Sequence, residues 1–179
     1  MKQLVALVDC NNFYVSCERL FTVALRNKPV IVLSNNDGCV VARSNDVKKL
    51  NIKMGTPFFQ IRHLVEQYDI QVFSSNYALY ADVSNRVMHA LSDFSPLVEV
   101  YSIDEAWLNL THVEQERLRD YGHMIRAAVM QRVGIPVSIG IASTKTLSKI
   151  ATEIVKKYPE YQGVLVLAFA SEQESHYEC

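Results

Sequence analysis

The chain has 179 residues, 49% of them hydrophobic and 21% charged, which is ample for a packed core and excludes a disordered chain. Its net charge of −1 excludes a uniformly basic, histone-like binder, yet the charge is graded: residues 1–75 hold nine Lys/Arg against six Asp/Glu, while 158–179 hold four acids and no Lys or Arg. Four cysteines without a C-x-x-C pair, and five histidines of which only His176 lies near a cysteine in sequence, argue against a zinc site or a disulfide framework. Leu4–Val8 reads as a buried strand ending at Asp9, too short for the apolar region of a signal peptide. No stretch approaches the roughly 18–20 apolar residues of a membrane span, so the expectation is a cytoplasmic protein with reduced thiols and no membrane partner.

Asn11–Leu20 follows as a helix with Phe13, Cys17 and Leu20 on one face. Pro29–Ser34 and Cys39–Ala42 are strands, joined by a hairpin at Asp37-Gly38. Ser44–Leu50 and Pro57–Tyr68 read as short helices, the second with Thr56 as N-cap and Pro57 at N1. Ile70–Ser74 is a strand, and Asn76–Phe94 is a long helix with Leu79, Val83, Val87 and Leu91 in register. Pro96–Tyr101 and Ala106–Leu110 form a second hairpin around the turn Ser102–Glu105. Glu114–Arg132 is a helix, Pro136–Ile141 a strand and Ser143–Tyr158 a lysine-bearing helix. The acidic tail 168–179 shows no periodicity.

With 22–75 set aside, the order is β α β β α β, the split βαβ or ferredoxin-like pattern of an α+β fold. Residues 22–75 then form a small α/β insertion. In that topology the first strand lies antiparallel to the third, which brings Asp9 beside Asp104 and Glu105 at one sheet edge. Asp9 alone reads as a capped strand end. Three carboxylates at one edge repel each other unless a cation lies among them, and an all-oxygen set suits Mg²⁺ and phosphate substrates. Two such ions can activate an attacking oxygen and stabilise a leaving one. Lys145 and Lys149, on one helix face, and Lys48 in the insertion are candidate phosphate binders. Gly140–Thr146 lacks the second glycine of a P-loop, which rejects that class of nucleotide site.

Five ordered segments carry a more specific signal: VDCNNFYVSCE (8–18), SNNDGCVVARS (34–44), SSNYALYADVSNRVM (74–88), YSIDEAWLNLT (101–111) and SIGIASTKTLSKIA (138–151). Together they resemble the Y-family translesion DNA polymerases, most closely the UmuC branch, over about residues 3–167. The resemblance implies an error-prone DNA-directed DNA polymerase acting in DNA repair and the SOS response. It implies a palm at 1–21 and 76–167, fingers at 22–75, and a two-Mg²⁺ site of Asp9, Asp104, Glu105 and the carbonyl of Cys10. It also implies Tyr14 as the steric gate against ribonucleotides, with Phe13 beside it. Asn45, Lys48 and Lys149 would contact the incoming nucleotide, and Val40 and Val41 would lie over the nascent base pair. Asn45 and Lys48 stand where many relatives carry Tyr and Arg, and Ala42 where Thr is frequent.

The implied partners are primer-template DNA, dNTPs, a UmuD-type accessory subunit, a RecA filament and the sliding clamp. The resemblance implies thumb and little-finger domains that these residues are not expected to form. The alternative expectation is therefore a truncated, catalytically weak or silent remnant that binds DNA or repair partners.

Overall fold

The computed structural model describes residues 2–35 and 38–167. The Asp37 side of the expected hairpin turn and the acidic tail 168–179 lie outside the described residues. Two compact units make up the chain: one runs from Asn12 to Val83, and the other combines the residues up to Asn11 with those from Ser84 onward.

In the second unit, strands β1 (Val5–Cys10), β5 (Val98–Ser102), β6 (Glu105–Asn109), β7 (Val137–Ala142) and β8 (Val164–Val166) form one sheet in the order β5-β6-β1-β7-β8. The first four strands reproduce the split βαβ order expected from the sequence, with β1 antiparallel to both β6 and β7. β8, parallel to β7, is an addition the sequence reading lacked; three residues are too few for a period-2 signal. Every residue of β1 and of β7 is buried, as befits central strands covered on both faces.

Helix α5 (Leu118–Arg132) packs on β7 and β8. Its Leu118, Ile125 and Val129 face inward, and Gly122 leaves room for Val164. Helix α6 (Lys145–Lys157) packs on β7 and β1. Gly140 permits this close approach, because a Cβ there would lie 2.3 Å from the Ser148 carbonyl and 2.5 Å from the Thr152 nitrogen. The helix is capped by Thr144, whose hydroxyl accepts from the Leu147 N–H, rather than starting at Ser143.

The Asn12–Val83 unit holds a three-stranded sheet, β3-β2-β4, of β2 (Val30–Leu33), β3 (Val40–Arg43) and β4 (Gln71–Ser74). β2 and β3 are antiparallel, as the hairpin signal required, and β4 runs parallel to β2. Ile31, Leu33, Val40, Val47, Ile52, Ile61 and Ile70 form its core. Helix α1 (Phe13–Phe21) and the single-turn α2 (Asn45–Lys48) flank the sheet. The expected helix Pro57–Tyr68 is instead a 3-10 turn, Phe58–Gln60, followed by α3 (Arg62–Gln67). Thr56 caps neither: its hydroxyl donates 2.6 Å to the Lys53 carbonyl, a local turn bond that competes with capping. Helix α4 (Tyr77–Leu91) begins in this unit and ends in the other. Among the described residues, no helix is long and apolar enough to cross a membrane.

Candidate active site

The register of the five-stranded sheet places Asp9 directly opposite Glu105, and the Cys10 N–H donates 2.8 Å to the Asp104 carbonyl. The three carboxylates expected at one sheet edge are thus brought there by backbone pairing. A register shift between Val100 and Ser102 accompanies the turn, an irregularity of the kind that re-aims side chains near sites. Ser102 Oγ lies 2.8 Å from Asp104 Oδ1 and 3.0 Å from Glu105 Oε2.

Asp9 is buried, with a side chain 9% exposed, and its counter-charge is Lys156, whose Nζ lies 2.8 Å from Asp9 Oδ2. A simple ladder explains this pairing. Ser148 Oγ donates to the Val5 carbonyl at 2.7 Å, and Thr152 Oγ1 to the Leu7 carbonyl at 3.4 Å; Lys156 meets Asp9 one step further. Four helical residues rise about 6 Å and two strand residues about 6.6 Å, so every fourth residue of α6 meets every second residue of β1. Lys149 stands off that row. Its Nζ lies 5.4 Å from the centre of the exposed Tyr101 ring, while Lys145 pairs with Glu99 at 2.7 Å and lies over Trp107.

Burial pushes the Asp9 carboxyl up to about 7; Lys156 opposes the shift, and Asp104 and Glu105 add to it. Burial alone would lower the Lys156 ammonium, but its bond to Asp9, helped by Glu153, holds it above its ordinary value. The direction that governs the pair is the Asp9 rise, because two neighbouring carboxylates act on Asp9 in addition to burial. As arranged, no group of three or more His, Cys, Asp or Glu side chains among the described residues is disposed to hold a metal ion. The donor chemistry nevertheless fits a hard cation. The set is all oxygen, Asp104 and Glu105 are close enough to raise Asp9, and a positive charge already neutralises that carboxylate.

In the Asn12–Val83 unit the expected nucleotide-contacting residues form two groups. Tyr14 stacks on Tyr80 with ring centres 4.3 Å apart and planes 14° from parallel, and Tyr77 meets both rings edge-on. Tyr80 is fully buried and donates 2.8 Å to Glu18, so the surface behind Tyr14 is rigid. The second group links Lys48 Nζ to Asn12 Oδ1 at 2.6 Å, and Asn12 Nδ2 to Asn45 Oδ1 at 3.1 Å. Asn12 has φ 45°, a left-handed conformation that Asn tolerates.

Two of the expected residues lie in the core. Val40 is fully buried in the core of its unit, while its neighbour Val41, on the opposite face of the strand, is half-buried. Phe13 is likewise a core residue, 4% exposed, with its ring 6.0 Å from that of Tyr14. The sequence reading missed Ser102, Tyr80 and the role of Lys156. The available signal for Lys156 was its i+4 spacing from Ser148 and Thr152, a polar row on the face of α6 that also buries Ala151 and Val155.

Residues 8–153 match the impB/mucB/samB family. The chain is 49% identical to the ImpB protein of Salmonella typhimurium over 165 residues, covering 92% of this chain and 39% of that protein. It is 48% identical to the UmuC protein of Salmonella typhimurium strain LT2 over 167 residues, covering 92% and 40%. It thus spans about two fifths of the length of these curated relatives. Among solved structures, the insertion ternary complex of Dbh DNA polymerase superposes with a TM-score of 0.84 at 26% identity, over 96% of this chain and 51% of that one. The chain belongs to the impB/mucB/samB family and has the α+β palm-and-fingers fold of the Y-family DNA polymerases.

Proposed function

We propose that this chain carries the nucleotidyl-transfer centre of an error-prone, DNA-directed DNA polymerase that extends a primer 3′-hydroxyl with dNTPs across damaged templates. The observation that carries this reading is the pairing of Asp9 with Glu105 across two antiparallel strands, with Asp104 tied to Cys10 beside them. Asp9, Asp104, Glu105 and the Cys10 carbonyl would hold two Mg²⁺ ions. When bound, these supply a lowered pKa for the attacking hydroxyl and charge stabilisation for the leaving phosphate.

The protein's own residues do the rest. Lys149, which stands off the Asp9-facing row of α6, is the lysine we assign to the incoming triphosphate, while Lys156 is engaged as the counter-charge of Asp9. Asp9 would exchange its ion pair with Lys156 for the cations when the centre loads. Tyr14, backed by Tyr80, excludes a ribose 2′-hydroxyl by steric contact, and a stacked pair resists displacement better than a lone ring. Asn45 and Lys48, fixed through Asn12, bind nucleotide phosphate oxygens. Residues 22–75 serve as fingers and the remainder to 167 as palm. By family resemblance the setting is translesion synthesis within the SOS response, with a UmuD-type subunit, a RecA filament and the sliding clamp as partners in the cytoplasm.

Primer extension with the full chain tests this, using a labelled primer on undamaged and abasic templates with Mg²⁺. Metal-dependent addition of dNTPs that disappears in Asp104→Ala supports the reading. Template-independent addition, or addition that survives Asp104→Ala, overturns it.

A further inference from the structure

Resting on that reading, we infer that Ser84 and Ser102 are positioning residues which set the Ile103-Asp104 turn, and so determine how well the carboxylates bind a divalent cation. Ser84 lies on α4, 19 positions before Ile103, yet its hydroxyl donates 2.5 Å to the Ile103 carbonyl. It is 7% exposed, one of few buried polar residues in the described chain. A buried hydroxyl satisfied by a turn carbonyl fixes the peptide immediately before Asp104. On the other side of that turn, the Cys10 N–H holds the Asp104 carbonyl at 2.8 Å. The backbone of the turn is therefore pinned at two successive carbonyls, one from a helix and one from β1.

Ser102 acts on the side chains. Its oxygen lies within hydrogen-bond distance of both Asp104 and Glu105, but a hydroxyl has a single proton to give. It donates to one carboxylate at a time and keeps the two from swinging apart under their mutual repulsion. Such outer partners orient the groups that bind metal, and removing one commonly costs about 10- to 100-fold in metal affinity. Both hydroxyls are engaged with the turn, Ser84 on the Ile103 carbonyl and Ser102 on the two carboxylates, so both act through the ligands in this scheme.

The test is Mn²⁺ binding to the full chain, followed by electron paramagnetic resonance, alongside the melting temperature of each metal-free variant. Ser102→Ala and Ser84→Ala should each weaken Mn²⁺ about 10- to 100-fold while the metal-free melting temperature of Ser102→Ala stays near that of the parent. Ser102→Thr, which keeps the hydroxyl, should restore the affinity. Asp104→Ala separates this inference from the function it rests on. Unchanged Mn²⁺ affinity in both serine variants, with loss in Asp104→Ala, overturns the positioning role alone. Unchanged affinity in Asp104→Ala as well overturns the metal site. If Ser84→Ala fails to fold, Ser102→Ala and its threonine rescue decide the matter, because that turn is only half-buried.

Discussion

The two units hold their candidate functional residues by different means. In the unit containing β1, the carboxylates are fixed by strand register, and their charges conflict: Asp9 is buried, raised by its acidic neighbours and matched by one lysine. In the Asn12–Val83 unit the residues are fixed by side chains, and their needs are met locally. Tyr14 rests on Tyr80, Tyr80 on Glu18, and Lys48 reaches Asn45 through Asn12. One region gathers like charges at the ends of paired strands; the other is a preformed surface. Removing a carboxylate should therefore destroy chemistry and spare the fold, whereas removing an aromatic should relax selectivity and weaken packing.

The sharpest way to break this contrast is Asp104→Ala. Loss of metal-assisted charge stabilisation worth about 4 kcal/mol corresponds to a fall of about a thousandfold in transfer rate. The melting temperature without metal should hold or rise, since one of three like charges is gone. Single-turnover primer extension and a thermal melt measure both.

Tyr14→Ala should leave dNTP insertion comparatively intact and raise ribonucleotide insertion by on the order of 100-fold, the scale on which a small steric element of a pocket discriminates. Tyr80→Ala should do the same and also destabilise its unit by about 3–5 kcal/mol, the usual cost of removing a buried aromatic. Equal dNTP-over-rNTP preference in parent and Tyr14→Ala would reduce Tyr14 to a packing residue.

Lys149→Met should cost the nucleotide a charge-assisted contact of about 1.5–3 kcal/mol, a rise of about 10- to 100-fold in KM for dNTP. Lys156→Met, which removes the counter-charge of Asp9, should change KM less. A larger KM effect at Lys156 would place the triphosphate contact on the Asp9-facing row of α6 instead.

A further effect is a pH dependence of stability rather than of activity. The folded-state pKa of Asp9 is raised from the ordinary 3.8 to about 7. Below about 4 both folded and unfolded chains keep the proton, and the contribution of Asp9 is fully present. Between about 4 and 7 the unfolded chain releases it while the folded one does not, so metal-free stability falls as pH rises, then levels off. Melts of the parent and Asp9→Asn in chelator at pH 4.5 and 7.5 should show a drop for the parent that the variant lacks. A parallel drop in both would place the titration elsewhere.

Much of this was legible from residues alone. The split βαβ order, the antiparallel pairing of β2 with β3, the inward faces of α4 and α5, and the meeting of Asp9 with Asp104-Glu105 follow from periodicity and topology, because strand pairing leaves few alternatives once one face of each element is apolar. Side-chain partnerships were not legible. Which lysine of α6 faces Asp9 depends on the rotation of that helix over β1, and that rotation is set where Gly140 lets the helix settle onto β7. Tyr80 behind Tyr14, Ser84 against Ile103 and the burial of Val40 likewise depend on packing between residues far apart in sequence. The sequence by itself determined which chemical groups reach the sheet edge, since backbone register is specified by a period-2 pattern. Only the tertiary structure decided which neighbours hold, charge or bury those groups, because contacts across packed elements depend on a few ångströms of helix placement that no local pattern encodes.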